Sequence, residues 1–328
     1  MKFPRTRMRR LRSDDFIRRL TAESSLSPND LLWPLFVHDG NKSSPVPAMA
    51  EVFRLCADDL WRQAERALIL GIPAVALFPV IPPENKTPQG EEALNDNGLI
   101  PRLIGEMKKK FPELGVMADV ALDPYTSHGH DGVRDDKGRV LNDETVEILA
   151  RQATVLAVAG ADIVAPSDMM DGRIAAVRDA LEAAGLNNTK ILSYAAKYAS
   201  VYYGPFRDAV GSTGSLGGKD KRGYQMNPAN RKEAIAEMRL DLDEGADMLL
   251  VKPGLPYLDI ISDAANAFEA PILAYQVSGE YAMLNAAGEA GCFDKNAAMM
   301  KSLLAFKRAG ACAVLSYFAP QAAALLRN

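Results

Sequence analysis

Two lysines that follow apolar stretches are the residues best suited to covalent chemistry. Lys252 comes directly after the apolar residues 248–251, so its backbone should be buried, and Lys197 stands near the end of an earlier apolar run. An apolar wall or a second nearby amine favours the neutral form of a lysine, and a neutral amine can attack a ketone to form a Schiff base. One such lysine could be structural and paired with Asp119 or Asp168, but two together favour catalysis.

A second group of chemically useful side chains follows the third apolar run. His128 and His130 stand one residue apart, flanked by Asp123 and Asp131. Histidine and carboxylate groups are metal ligands, but the spacing is loose and the segment is a loop, where such residues are more often solvated. Between a transition-metal site and a solvated loop, the sequence favours the loop.

The segment 204–226 follows Lys197 and is rich in glycine and in cations. A segment of this composition is either a solvated loop or a lid that brings positive charge over an anionic substrate and excludes water. Its place directly after a candidate catalytic lysine favours the lid. The glycines are Gly211, Gly214, Gly217, Gly218 and Gly223, and the cations are Arg207, Lys219, Lys221 and Arg222.

Eight short apolar runs alternate with longer amphipathic stretches and predict the framework that positions these residues. Near-continuous apolar runs are typical of parallel strands buried on both faces, and most stretches between them have the pattern of helices. The pattern indicates an α/β protein with a (β/α)8 TIM barrel over residues 31–328 and its site at the carboxyl ends of the strands. An open doubly wound sheet shares this periodicity, but its G-x-G-x-x-G signature is absent. The runs are residues 31–37, 74–80, 115–122, 162–166, 190–194, 248–252, 271–277 and 313–318.

Three glycines mark the ends of predicted helices. Gly160, Gly245 and Gly310 each precede a predicted strand by a few residues, where glycine commonly ends a helix in a left-handed conformation. One helix is predicted over residues 145–159, and another runs from a proline start to a glycine stop over residues 228–245. The repetition of this turn is what a barrel requires.

Residues 1–30 differ from the rest because arginine dominates the first twenty. Such a segment is compatible with a mitochondrial transit peptide or with a nucleic-acid-binding arm. The apolar residues between the arginines favour a third interpretation, an arm that docks on a neighbouring subunit. The arginines are Arg5, Arg7, Arg9, Arg10, Arg12, Arg18 and Arg19, and the apolar residues are Leu11, Phe16, Ile17 and Leu20.

The composition limits the compartment and the partners. The 328 residues are 48% hydrophobic and 24% charged, and the net charge of −4 is too mild to indicate a polyanionic partner. Cys56, Cys292 and Cys312 are odd in number and far apart, so disulfides are not expected and a reducing compartment is the default. The longest apolar run, 67–83, is interrupted by proline and glycine and is not read as a membrane span. We expect a cytoplasmic protein that binds neither nucleic acid nor membrane.

Several long stretches of the sequence resemble the porphobilinogen synthase family, over nearly the whole chain. They include the surroundings of both lysines and of the glycine-rich segment. The resemblance implies a barrel with an N-terminal arm, assembled as a homo-octamer, that joins two 5-aminolevulinate molecules through lysine Schiff bases. The matching stretches are RMRRLR (7–12), residues 119–132, APSDMMDGR (165–173), SYAAKYAS (193–200), YGPFRDAVG (203–211), YQM (224–226), VKPGLPYLD (251–259) and YQVSGEYAM (275–283).

The resemblance also implies a role for each residue of the site. Lys252 should hold the first 5-aminolevulinate and Lys197 the second. Two further residues should bind each substrate carboxylate, two should wall the pocket, and four should handle amino groups and protons. In that order they are Ser278 and Tyr317 for the first carboxylate, Arg207 and Lys221 for the second, Phe206 and Tyr275 for the walls, and Asp119, Asp123, Asp131 and Ser167 for the amines and protons.

The expected metal dependence follows from one sequence difference between members of the family. Zinc-dependent members carry three cysteines after the third strand, where this chain has Ala121, Asp123 and Asp131. A thiolate zinc site cannot form there, so the chain resembles the aspartate-rich branch, which has no active-site zinc and is stimulated by magnesium. The magnesium-ligating glutamate of that branch matches Glu237. The resemblance therefore implies an allosteric magnesium ion rather than a catalytic one.

Two other functions remain open on the sequence. A class I Schiff-base aldolase acting on a phosphorylated ketone needs one lysine and a phosphate cup, and the end of the eighth predicted strand, YFAPQ at 317–321, lacks a glycine-rich cup. A non-enzymatic, nucleic-acid-binding barrel would use the basic arm and leave the lysine pair idle.

Overall fold

Eight parallel strands close into a barrel in the computed structural model, which describes residues 2–211 and 220–327. The last barrel strand pairs with the first through Leu31 opposite Val314. This closure confirms the predicted TIM barrel over an open sheet. The strands are β1 (Leu31–Val37), β2 (Ser44–Pro45), β3 (Phe53–Leu55), β4 (Ala74–Pro79), β5 (Gly115–Val120), β6 (Ile163–Pro166), β7 (Lys190–Lys197), β8 (Met248–Lys252), β9 (Ile272–Gln276) and β10 (Ala313–Ser316). The short strands β2 and β3 form an antiparallel pair outside the barrel, and β3 also pairs with β1.

Helices follow most of the barrel strands and bury one face each against them. The α-helices are α1 (Asp15–Leu20), α2 (Ala57–Leu70), α3 (Leu99–Lys110), α4 (Asn142–Val158), α5 (Arg173–Ala183), α6 (Gly204–Ala209), α7 (Lys232–Asp243), α8 (Leu258–Ala267), α9 (Ser278–Glu289), α10 (Lys295–Ala309) and α11 (Ala319–Leu326). Short 3-10 helices are Met8–Arg12, Pro28–Asp30, Pro83–Asn85, Glu91–Leu94, Val201–Tyr203 and Leu255–Tyr257.

The predicted glycine turns are present, with φ of +109° at Gly160, +103° at Gly245 and +108° at Gly310. Only glycine adopts this left-handed backbone without strain, which explains its repetition before β6, β8 and β10. Among the predicted boundaries, the start of α7 differs most from the structure, which has it at Lys232 rather than at residue 228. Asn227 holds the preceding residues in a turn by accepting a hydrogen bond from the Ala229 backbone at 3.0 Å.

The predicted arm exposes its apolar side chains. Phe16 and Leu20, on α1, are 63% and 77% exposed, and Leu11 is 50% exposed. Exposed apolar side chains of this kind are often covered by a partner, and the docking of the arm stays a prediction. Across the described residues, no helix combines the length and the apolar character that a membrane crossing requires.

Candidate active site

Lys197 and Lys252 lie side by side where two neighbouring barrel strands end. Lys197 is the last residue of β7 and Lys252 the last of β8, and the two are paired across the parallel ladder. Their exposure is only 5% and 7%. Burial of two amines at one point is costly unless they are paired or used, so the arrangement favours a chemical role.

The Lys252 amine lies inside a box of four aromatic rings. Burial, with the neighbouring Lys197 charge as the next cause, lowers the pKa of Lys252 to about 7, while Asp119 acts in the opposite direction. Near neutral pH a large share of this amine is therefore uncharged and nucleophilic. The rings of the box belong to Tyr275 (4.9 Å from Nζ to the ring centre), Tyr194 (5.0 Å), Tyr203 (5.3 Å) and Phe206 (5.3 Å).

We expect the rate of imine formation at Lys252 to follow the titration of this amine. Only the neutral amine attacks a ketone, and for a pKa of about 7 the neutral fraction rises from roughly one-tenth at pH 6 to roughly nine-tenths at pH 8. Borohydride trapping of a ketone at fixed times, read by mass spectrometry of the Lys252 peptide, should give a sigmoidal rise over that range. A rate that begins to climb only above pH 9 would contradict the lowered pKa.

The Lys197 amine is held by a carboxylate. Its Nζ atom lies 3.1 Å from Asp131 Oδ1 and also contacts the Ser167 carbonyl oxygen. Burial alone would raise the pKa of Asp131, but Lys197 and Lys221 outweigh it and hold that pKa well below its ordinary value. The carboxylate thus stays charged and fixes the direction of the lysine side chain.

Lys221 brings the far end of the predicted lid into the site. Its Nζ atom lies 2.6 Å from Asp131 Oδ2 and 3.0 Å from Asp123 Oδ2, and the residue is buried. Three residues later, the Tyr224 hydroxyl donates to Asp131 at 2.8 Å. The two aspartates therefore anchor this end of the segment above the lysine pair.

The near end of the predicted lid carries Arg207 on α6. Arg207 is half-buried and lines a groove of 740 Å³ with Lys221 and Gln225. Arg222 and the carboxylate of Asp220 also line this groove, so its lining has more positive than negative groups and suits an anionic group. The predicted lid residues 212–219, among them Gly214, Gly217, Gly218 and Lys219, lie outside the described part of the chain.

Ser278 and Tyr317 lie at the ends of two further barrel strands. The Tyr317 hydroxyl is 2.9 Å from that of Tyr275. The Ser278 hydroxyl accepts a hydrogen bond from the Phe206 backbone at 2.9 Å and lies 3.3 Å from the Tyr202 carbonyl oxygen. Ser278 thus ties the first turn of α9 to the base of the lid, a contact that the sequence did not indicate.

Asp119, near the end of β5, offers the site an acceptor. Burial raises its pKa to about 7, although the Lys252 amine lowers it. Its Oδ1 atom is buried and has no hydrogen-bond partner among residues 2–211 and 220–327. Buried acceptors are rarely left unpaired, so this atom is available to an amine of a bound molecule.

The histidines after β5 each contact the protein through one ring nitrogen. His128 Nε2 lies 3.1 Å from the Pro88 carbonyl oxygen, and His130 Nδ1 lies 3.3 Å from the Tyr224 hydroxyl. Within the described ranges, no three His, Cys, Asp or Glu side chains stand close enough together to hold a metal ion. The segment is a loop, as predicted, but three of its four candidate side chains are buried rather than solvated, namely Asp123, His130 and Asp131.

Glu237 lies on α7 beside a buried arginine. Its Oε1 atom is 3.5 Å from Arg173 Nη1, and its side chain is 23% exposed. Burial raises the pKa of Glu237, and Arg173 opposes that rise. Because magnesium keeps several waters and needs only one or two carboxylates, a partly exposed glutamate among other acids fits it. The other acids that act on Glu237 are Asp241, Asp171 and Glu244.

Three tyrosines and one arginine of the site were not predicted from the sequence. Tyr194 and Tyr203 surround the Lys252 amine, and Tyr224 fixes Asp131. Tyrosines leave no periodic signal in a sequence. Tyr194 stands three residues before Lys197, and on a regular strand two residues that are three apart point to opposite faces. The arginine is Arg173, which is 1% exposed beside three carboxylates.

Comparison with known proteins gives one consistent answer. The family model described as delta-aminolevulinic acid dehydratase matches residues 5–325. A Bradyrhizobium diazoefficiens protein named delta-aminolevulinic acid dehydratase is 56% identical over 98% of this chain and 91% of its own length, and a chloroplastic one from Glycine max is 51% identical over 98% and 77%. A solved structure of delta-aminolevulinic acid dehydratase (porphobilinogen synthase) from Toxoplasma gondii, in complex with the product porphobilinogen, has a TM-score of 0.96 and 48% identity over 98% of this chain and 91% of that one.

Proposed function

We infer that this chain, which belongs to the delta-aminolevulinic acid dehydratase family, is a porphobilinogen synthase. It condenses two molecules of 5-aminolevulinate into porphobilinogen with loss of two waters, a lyase reaction of tetrapyrrole and heme biosynthesis. The aldolase alternative is not favoured, since an aldolase needs one reactive lysine and this site has two.

The observation that carries the function is the pairing of Lys197 with Lys252 at adjacent strand ends. Two substrate molecules that each carry a ketone call for two amines close enough to bring the molecules together. The surroundings of the two amines differ, because aromatic rings enclose Lys252 and Asp131 holds Lys197. We propose that this difference assigns one substrate molecule to each lysine.

We propose the following roles in substrate binding. The molecule on Lys252 places its carboxylate at Ser278 and Tyr317, against the walls of the aromatic box, and the molecule on Lys197 places its carboxylate between Arg207 and Lys221. The placement of Arg207 and Lys221 on one groove supports the second half of this proposal. The remaining groups, which hold amino groups and protons, are Asp119, Asp123, Asp131 and Ser167.

The first covalent step follows from the state of the Lys252 amine. The neutral nitrogen adds to the ketone carbon, and both of its hydrogens leave with the ketone oxygen as water while the carbon–nitrogen double bond forms. Lys197, whose Nζ atom Asp131 holds at 3.1 Å, forms the second imine by the same exchange of ketone oxygen for nitrogen. The two imines then hold both molecules for condensation.

The function is tested by incubating the purified protein with 5-aminolevulinate and detecting a pyrrole with an acidic aldehyde reagent. We expect one pyrrole for every two substrate molecules consumed. Levulinate is the control, because it has the ketone but lacks the amine and cannot close the ring. A protein that traps levulinate on Lys252 yet makes no pyrrole would be a Schiff-base enzyme of another kind.

We propose that magnesium acts as an allosteric ion at Glu237 and that the active site uses no zinc. The partly exposed Glu237 carboxylate and the acids around it support a hydrated magnesium ion. Asp123 and Asp131, in the places where thiolates would be needed for zinc, contact Lys221. An ion that binds one assembly state better than another shifts the population toward that state.

Magnesium is expected to raise the activity of the chelated protein, and removal of zinc is expected to change nothing. Glu237→Ala should keep the basal turnover and lose the stimulation. Glu233→Ala is the matched control, since it removes an exposed carboxylate one turn earlier on α7, and it should respond like the wild type. Activity that is lost on chelation and restored by zinc alone would contradict the proposal.

We propose that residues 1–30 form an oligomerisation arm of a homo-octamer. The exposed apolar side chains of α1 support this proposal, because a second copy of the chain would cover them. Deletion of residues 1–24 should give smaller particles in analytical sedimentation and lower activity. An unchanged octamer after the deletion would contradict it.

We propose a cytoplasmic location, with neither nucleic acid nor membrane as a partner. Cys56, Cys292 and Cys312 are free thiols, as is usual in a reducing compartment. Weak retention on heparin without a steep salt dependence is the expected result for the basic arm.

A further inference from the structure

Tyr194 carries a hydroxyl group that is buried beside the Lys252 amine without a hydrogen-bond partner. The residue has no solvent exposure, and its hydroxyl has no donor or acceptor within hydrogen-bond distance among the described residues. Buried hydroxyls are nearly always paired, because leaving one unpaired costs free energy. An unpaired hydroxyl next to a reactive amine is therefore available to a bound molecule.

The other tyrosine hydroxyls around the Lys252 amine do have partners. Tyr203 donates to a backbone carbonyl oxygen at 2.6 Å, and the hydroxyls of Tyr275 and Tyr317 lie 2.9 Å apart. Each of these three hydroxyls therefore has a contact within the protein. In the part of the box that the structure describes, the Tyr194 hydroxyl is the one without such a contact.

A bulge in β7 explains why Tyr194 faces the amine. The register of β7 against β8 shifts between Ser193 and Ala196. Residues three apart on a regular strand point to opposite faces, and a bulge re-aims the side chains around it. Tyr194 and Lys197 both reach the interior of the barrel, whereas the Ser193 hydroxyl donates to Asp241 on α7 at 2.5 Å.

We infer that the Tyr194 hydroxyl donates a hydrogen bond to the ketone oxygen of the molecule that reacts with Lys252, an inference that rests on the proposed function. When the neutral amine adds to the ketone carbon, negative charge develops on that oxygen. A donor that is already in place in a dry pocket stabilises this charge more than water does. Tyr194 keeps its proton, since the lysine nitrogen supplies both hydrogens of the water that leaves.

The surroundings of Tyr194 fit a ketone with an amine on the neighbouring carbon, as 5-aminolevulinate has. The Lys252 Nζ atom lies 5.0 Å from the centre of the Tyr194 ring, and we place the ketone between this amine and the hydroxyl of that ring. Burial, followed by the nearby Asp119 charge, raises the pKa of Tyr194 well above its ordinary value, so the hydroxyl stays a donor. The unpaired Asp119 Oδ1 atom is the matching acceptor for the substrate amine.

Tyr194→Phe tests the inference, because it removes one oxygen atom and leaves the ring. We expect borohydride trapping of levulinate on Lys252 to slow about 100-fold, as when one donor to a developing oxyanion is lost. We expect the melting temperature to stay equal or to rise, because an unpaired buried hydroxyl has been removed. The trapping rate at Lys197 should change little.

Tyr281→Phe is the matched control, since it removes a hydroxyl that donates to the Ala50 carbonyl oxygen at 2.6 Å. It should lower the melting temperature and leave trapping on Lys252 unchanged.

A Tyr194→Phe protein that traps levulinate at the wild-type rate overturns the inference. A Tyr194→Phe protein that has a lower melting temperature and traps levulinate equally slowly at both lysines also overturns it, because the hydroxyl would then be structural. Trapping is measured apart from pyrrole formation, so a wild type that traps levulinate but makes no pyrrole fails the proposed function alone.

Discussion

Lys252→Met is expected to abolish pyrrole formation while leaving the protein folded. Methionine has about the length of lysine and suits the aromatic box, but it cannot form an imine. Loss of a catalytic nucleophile lowers turnover by a factor on the order of 10⁶. Lys252→Arg should fail as well, because a guanidinium group stays protonated in proteins and cannot attack a ketone.

The rate of pyrrole formation and the borohydride adducts are measured on the same samples. The wild type with 5-aminolevulinate should carry a reduced adduct on Lys252 and, in part, on Lys197. Lys108→Met is the control, since Lys108 pairs with Asp162 at 2.9 Å just before β6, at the opposite end of the barrel, and its loss should change neither readout. A wild-type protein without an adduct on Lys252 would remove the basis of the assignment.

Arg173→Met is expected to lower the free energy of unfolding by about 3–5 kcal/mol, the usual cost of breaking a buried ion pair from one side. Arg173 is 1% exposed, lies 3.3 Å from Asp241 and 3.8 Å from Asp168, and also pairs with Glu237. Without the guanidinium, the two buried aspartates have no counter-charge. Urea unfolding followed by circular dichroism should show a lower midpoint. Arg231→Met is the control, because its ion pair with Asp263 is exposed to solvent and contributes little to stability.

The loss of stability in Arg173→Met should depend on pH with a defined sign. Burial raises the pKa of Asp168 to about 6 even though Arg173 lowers it, and without the arginine this pKa rises further. A carboxyl with a raised pKa binds more protons in the folded chain than in the unfolded one, so stability falls as pH rises from about 4 through the folded pKa. The difference between variant and wild type should be larger at pH 8 than at pH 5.5. An equal difference at both values would show that Asp168 does not depend on Arg173.

The barrel and the lysine pair could be predicted because both leave a linear signal in the sequence. Strands buried on both faces are continuous apolar runs, and the strand-end rule then places Lys252 on the functional face. The bounds of the strands were predicted less accurately than their presence, since β7 continues to Lys197, three residues beyond the predicted run. The bulge in this strand breaks the alternation that the prediction relies on.

The contacts that complete the site could not be predicted, because they join residues far apart in the chain. Lys221 meets Asp123 across 98 positions, and Arg173 meets Asp241 across 68. The composition of segment 204–226 indicated that the lid carries cations. It did not indicate which carboxylates those cations contact. The Ser278 hydroxyl, predicted to bind a substrate, also bonds the Phe206 backbone, which depends on the angle at which α9 leaves the barrel.

Burial shifts the pKa values of Lys252 and Asp119 toward each other, downward for the amine and upward for the carboxyl. Moving a proton from the ammonium to the carboxylate therefore costs less free energy than it would in water. The two groups together store one exchangeable proton, and the net charge of the site is the same whichever group holds it. We therefore expect Asp119 to take the proton that frees the amine for attack and to return it later to the imine nitrogen, so that fewer protons pass between the site and bulk water.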